Sequence, residues 1–122
     1  MDLESDVLGA DPHRLIVLLF NGAEAALIRA QSCFTMKDTF GKSQALLKAI
    51  EIINDGLSAS LNVEAGGELA ANLRALYDYM VNRLIYANIY MDPTAVSEVQ
   101  KLLGEIASAW REISPKSTGL GK

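Results

Sequence analysis

Apolar residues recur along this chain at spacings of three and four, in four long stretches separated by short polar or glycine-containing breaks. In the first, Leu15, Leu19, Ala23, Ala26, Ala30 and Cys33 make one stripe, and Ile16, Phe20, Leu27 and Phe34 make a second beside it. Two adjacent stripes predict an amphipathic helix with a wide apolar face, over residues 11–36. It opens at Asp11-Pro12, where a carboxylate accepts first-turn amide hydrogens and proline needs no partner for its missing N–H. The second stretch, residues 39–61, carries Leu46, Ile50, Ile53, Leu57 and Leu61. Asn54-Asp55-Gly56 lies inside it and would mark a hairpin between alternating strands. The helical phase runs on through it unchanged, so the tripeptide is read as helix with one unfavourable glycine. A turn is expected at residues 62–67, where two glycines free the backbone.

The third stretch, residues 68–91, has the stripe Leu69, Leu73, Leu76, Met80, Leu84, Ala87 and Met91. Asp92-Pro93 repeats the cap-and-proline opening, and Val99, Leu103, Ile106, Trp110 and Ile113 step through the fourth. Helices of this length, joined by loops of a few residues, pack as antiparallel neighbours. The expected fold is therefore all-α, an antiparallel up-down four-helix bundle over residues 11–113. Residues 1–10 form an N-terminal extension, and residues 114–122 a tail too polar to offset its ordering entropy.

Composition narrows the function more than the fold. At 122 residues, half of them hydrophobic, the chain suffices for one packed domain. The net charge of −4 and the scatter of its eleven basic residues argue against a nucleic-acid partner, which needs clustered cations to displace phosphate counterions. The most apolar stretch, residues 15–28, is short for a membrane span and contains Asn21 and Glu24. One cysteine and no secretory signal pattern suit a cytoplasmic setting.

Each candidate for chemistry lacks a requirement. His13 is the one histidine and has no glutamate three residues before it, so a di-metal bundle site has no ligand set. Gly41-Lys42-Ser43 resembles the end of a phosphate loop, but Met36 stands where that loop needs glycine. Cys33 sits on the core stripe and is read as a small hydrophobe. Glu24, Glu51, Asp55, Asp78, Glu98, Glu105 and Glu112 fall between the apolar stripes, as on a solvated face. The expectation is a protein that is no enzyme and uses no cofactor or metal.

Apolar positions nevertheless exceed what one stripe per helix requires. On the third helix Tyr77, Val81 and Ile85 flank the core stripe, and Tyr79, Tyr86 and Tyr90 face further out, near Ile89. On the second, Ala45, Ala49, Ile52, Gly56 and Ala59 line a face of mostly small residues that an added segment could approach closely. The expected client-binding residues are Tyr77, Val81, Ile85, Tyr79, Tyr86, Ala49 and Ile52, with burial in a broad core as the competing explanation for Tyr77, Val81 and Ile85. The residues alone lead to a helical bundle with a protein-binding groove.

The run from Gly66-Gly67-Glu68-Leu69 through Asn72-Leu73-Arg74-Ala75-Leu76-Tyr77-Asp78-Tyr79-Met80, with Arg83-Leu84 and Ala87-Asn88, closely resembles the flagellar export chaperone FliS family. Leu19-Phe20-Asn21-Gly22-Ala23, Lys48-Ala49 with Ile52-Ile53, and Ala109-Trp110 are similar to further parts of the same family. The resemblance implies a cytosolic chaperone that binds the disordered C-terminal segment of flagellin, prevents premature polymerisation and aids delivery to the export gate. The alternative is a bundle serving a different export substrate or flagellar regulator. Two departures stand out. The family usually has a longer N-terminal segment with a tyrosine that covers the groove, whereas no aromatic precedes Phe20 here, as in a shortened chain. Leu3, Val7 and Leu8 are read either as a remnant of that cover or as an extension of the first helix. Asn21 also stands where the family often has an acidic residue.

Overall fold

The computed structural model describes residues 11–113. Within them the chain forms α1 (Pro12–Thr35), α2 (Thr39–Glu51), α3 (Val63–Tyr90) and α4 (Pro93–Glu112), and no strand. Each helix packs against its neighbours in sequence, and α4 closes the ring against α1. This is the up-down bundle expected from the short loops. The expectations for residues 1–10 and 114–122 lie outside the described residues.

Local signals set the helix starts. The Asp11 carboxylate accepts from Arg14 N at 2.7 Å, Asp38 from Gly41 N at 2.9 Å, and Asp92 from Thr94 N at 3.0 Å. Asn62 does the same for Ala65 N at 3.1 Å, opening a single turn before the chain breaks at Gly67. Gly67 has φ 56° and ψ −134°, a backbone that favours glycine, and the long run of α3 begins after it. The turn expected at residues 62–67 is thus a capped helical turn followed by a glycine kink.

The end of α3 is held from another helix. Met91 adopts the left-handed conformation that terminates many helices. The Lys42 ammonium, almost fully buried, donates to the last-turn carbonyl of Asn88 at 3.0 Å and lies 3.1 Å from Met91 Sδ. A cation there meets the negative end of the helix dipole. The lysine that looked like part of a phosphate loop is a cap.

The core is centred on Phe20, Leu27, Leu46, Ile53, Leu57, Met80, Leu84, Val96, Val99 and Leu103. Two details differ from the periodic reading. On α3 the inward stripe runs Ala70, Leu73, Tyr77, Met80, Leu84 and Ala87, so Leu69 and Met91 at its ends are exposed. On the second helix, α2 does not continue as α: Ile52–Ser58 is a π-helical segment. The helix passes through Asn54-Asp55-Gly56 as expected, but with wider turns than a period of 3.6 assumes. Gly56 is an approach point rather than a flaw, since a Cβ there would come within 2.9 Å of Leu19 Cδ2.

By length and hydropathy α1 could cross a membrane, which the shorter apolar stretch read from the sequence did not suggest. In the bundle Phe20, Ala23, Ala26, Leu27 and Ala30 are packed inside. Its polar face is tied to α4: Arg111 Nη2 donates to Glu24 Oε1 and to Asn21 Oδ1, each at 2.6 Å. Asn21, where the resemblance would put an acidic residue, therefore shares a cation with Glu24.

Candidate functional site

α3 carries most of the apolar surface that the bundle leaves open. Tyr79, Ile85, Tyr86, Ile89, Tyr90 and Met91 are all exposed large hydrophobic residues, Ile89 at 65%. They follow from geometry. Once Tyr77, Met80, Leu84 and Ala87 face the core, positions 85, 86, 89 and 90 must point away from it.

The tyrosines are not loose. Glu98 on α4 accepts from the Tyr79 hydroxyl at 2.5 Å and from Arg83 Nε at 2.8 Å. The Arg83 guanidinium lies 4.7 Å from the Tyr86 ring centroid, and Tyr86 meets Tyr90 at 4.7 Å between centroids. Hydrogen bonds from Tyr79 and then Arg83 hold the Glu98 carboxyl below its usual range, and the Tyr79 hydroxyl is raised chiefly by its bond to Glu98. The cluster neutralises its own charge and orders a strip of rings. Tyrosines held this way offer amphipathic contact area with less ordering cost on binding.

The seven residues picked out from sequence separate clearly. Tyr79, Ile85 and Tyr86 lie on the open face, while Val81 and Ile52 are half-buried. Ile52 Cδ1 comes within 3.3 Å of where a Cβ on Gly22 would stand. Tyr77 is 3% exposed and Ala49 is 0%. Tyr77 is a core side chain whose hydroxyl burial pushes up to about 12. Ala45 and Ala49 are enclosed too, so the first part of the small-residue face is packed inside, while Ile52 and Gly56 are half-buried and Ala59 is exposed.

One feature escaped the sequence reading. At the end of the bundle where α1 starts and α4 finishes, a cavity of about 200 Å³ is lined by Leu15, Ile16, Leu57, Leu61, Tyr77 and Trp110, among others. Its rim is clasped by His13 and Trp110. His13 Nε2 donates to the Trp110 carbonyl at 2.9 Å, the Trp110 indole donates to the His13 carbonyl at 3.2 Å, and the rings stack at 5.2 Å. Half-buried Leu15, Ile16, Leu61 and Ile106 hinted at it only as stripe positions that continue towards the helix ends.

Among the described residues no three His, Cys, Asp or Glu side chains cluster as a metal site would require. Cys33 is a half-buried thiol 4.0 Å from Asp38 Oδ2. The arrangement is suited to holding an apolar chain segment.

Proteins of similar sequence give the family. Over residues 1–117 the chain matches the family described as flagellar protein FliS. It is 50% identical over 118 residues to a flagellar secretion chaperone FliS of Salmonella typhimurium, covering 97% of this chain and 87% of that one. The Escherichia coli protein of the same name is 46% identical, covering 90% and 81% of the two chains. Flagellar secretion chaperone FliSB of Pseudomonas aeruginosa is 42% identical, covering 93% and 90%. With its matched span running through all four helices and the open α3 face, the chain belongs to the FliS family.

Proposed function

We propose that this protein is a flagellar secretion chaperone of the cytoplasm that binds the C-terminal segment of flagellin, keeps it from polymerising prematurely and aids its delivery to the export gate. The observation that carries the reading is the ordered apolar strip on α3, in a chain whose relatives are named as secretion chaperones. A disordered client gains most from a rigid partner, because its own ordering already consumes much of the gross interaction energy. The anchors of this reading are Tyr79, Ile85 and Tyr86, with half-buried Val81 on the same helix, while Ile52 lies over Gly22 of α1. Tyr77 and Ala49 support the surface from beneath. The protein acts by holding its client and transforms nothing.

Calorimetric titration with a C-terminal flagellin peptide tests the assignment. Binding in the micromolar range or tighter is expected. No heat at tens of micromolar, within the usual range of weak specific complexes, refutes it.

A further inference from the structure

Met91, where α3 ends, sets its thioether against a buried cation. Its Sδ lies 3.1 Å from Lys42 Nζ, and the same ammonium donates to the Asn88 carbonyl at 3.0 Å. Lys42 is 2% exposed, and among the described residues no carboxylate comes within 4.0 Å of its ammonium. Burying a charge is costly unless its donors are well used, and a thioether sulfur is a weak acceptor. Lys42 therefore has one good partner, the Asn88 carbonyl, and a poor one in Met91. Met91 itself is 50% exposed and can be reached from solvent. Beside it lies a cavity of about 250 Å³, lined by Cys33, Phe34, Asp38, Lys42 and Met91 among others.

The geometry points to Met91 as a site of reversible oxidation whose sulfoxide is captured by Lys42. The oxidant is hydrogen peroxide. A sulfur lone pair turned to solvent attacks one peroxide oxygen, so that an S–O bond forms and the O–O bond breaks. The hydrogen on the transferred oxygen passes to the departing one, which leaves as water; sulfur gives up an electron pair and peroxide takes it. The new oxygen starts on the side away from the ammonium. Methionine's freely rotating side chain brings it round, and the adjoining cavity takes the displaced methyl. A sulfoxide oxygen carries partial negative charge and accepts from a cation more strongly than a thioether does. Methionine oxidation commonly disrupts packing. Here it gives a buried charge the acceptor it lacks, and so tightens the end of α3, where the Met91 and Asp92 amides both bond to the Ala87 carbonyl. Tyr86, Ile89 and Tyr90 occupy that last stretch, so this end of the apolar strip stays ordered under oxidising conditions. The client plays no part in the device.

The site is tested by treating the wild-type protein with hydrogen peroxide and mapping the added oxygen by peptide mass spectrometry. Met91 is expected to react within about threefold of the rate of Met36, which is 75% exposed, while Met80, at 0%, is spared. Oxidation of Met91 no faster than that of Met80 overturns the site. Capture is read in a Cys33→Ala, Met36→Leu background, which removes the other accessible sulfurs among the described residues. There peroxide is expected to raise the melting temperature by about 4 °C and to slow exchange of the Met91 and Asp92 amides about fivefold, and a methionine sulfoxide reductase to reverse both. Met91→Gln, whose amide oxygen stands where the sulfoxide oxygen would, is expected to melt about 4 °C above Met91→Leu without any peroxide. In Lys42→Met, peroxide is expected to lower the melting temperature instead. A fall on oxidation with Lys42 in place overturns capture, as does Met91→Gln melting at or below Met91→Leu. If Lys42→Met does not fold, the comparison of Met91→Gln with Met91→Leu decides by itself.

Discussion

Tyr77 and Ile85 lie two turns apart on α3 and looked equivalent as flanking apolar positions, yet truncating them should have opposite consequences. Tyr77 is 3% exposed and touches the end cavity from inside. Removing a buried aromatic ring costs about 3–5 kcal/mol, the lost transfer energy plus the space left behind. At about 4–8 °C per kcal/mol for a domain of this size, Tyr77→Ala should lower the melting temperature by at least about 12 °C. Ile85 is 42% exposed. Full burial of an isoleucine contributes about 1.5–3 kcal/mol, and Ile85→Ala gives up only the enclosed part beyond Cβ, about 1 kcal/mol. Its effect should appear in binding, as roughly a tenfold weaker grip on a C-terminal flagellin peptide. Melting followed by circular dichroism and calorimetric titration of both variants separate the two roles. Equal losses of stability, or a Tyr77→Ala melt within about 4 °C of wild type, would refute the assignment. Burial also predicts an alkaline signature. The Tyr77 hydroxyl is pushed from 10.0 up to about 12, so the neutral form is the one the fold prefers. The stability this gives is full below pH 10 and disappears as pH rises through about 12. That interval corresponds to about 3 kcal/mol, absent in Tyr77→Phe.

Two further outcomes follow from the α3–α4 seam and its turn. Glu98 is held below its ordinary value of 4.5 by Tyr79 and Arg83, so its contribution is present above that pH and fades as pH falls through the lowered value. Glu98→Gln should therefore flatten the acid limb of a plot of melting temperature against pH; an unchanged limb would mean that the Tyr79–Glu98–Arg83 cluster does not form in solution. Asp92→Ala removes the cap on Thr94 N and should cost about 1 kcal/mol in a denaturant titration, with Asp92→Asn retaining most of it.

Much of the bundle was legible because its determinants are local. Asp-Pro at two helix starts, a three-and-four stripe in each segment and glycines between the second and third need no tertiary information to act. Even Asn54-Asp55-Gly56 was read correctly as helix, since the apolar phase outweighed a strong turn signal. The kink at Gly67 was also anticipated in outline, because its φ suits glycine wherever it occurs.

The candidate site was only half legible. Sequence placed the surplus apolar surface on the third helix, and the structure leaves that surface open from Tyr79 to Met91. It set Tyr77 beside the core stripe and Tyr79 further out, but left Tyr77, Val81 and Ile85 undecided between burial and binding, because only the neighbours' placement says how far around the helix the core reaches. Ala49 was misleading for a related reason. A small side chain marks close approach, and here the approach is made by the bundle itself.

Four helices, most of their starts and the excess of apolar area follow from propensity, capping and period, which act within a few residues of one another. How each helix is rotated does not, because rotation is a compromise among all the faces that pack together. That rotation buries Tyr77, sends Lys42 to the end of α3 and opens a π turn where α1 crosses the second helix. The end cavity exists for the same reason: four apolar stripes that run to their helix ends leave a space between them that no single stripe records.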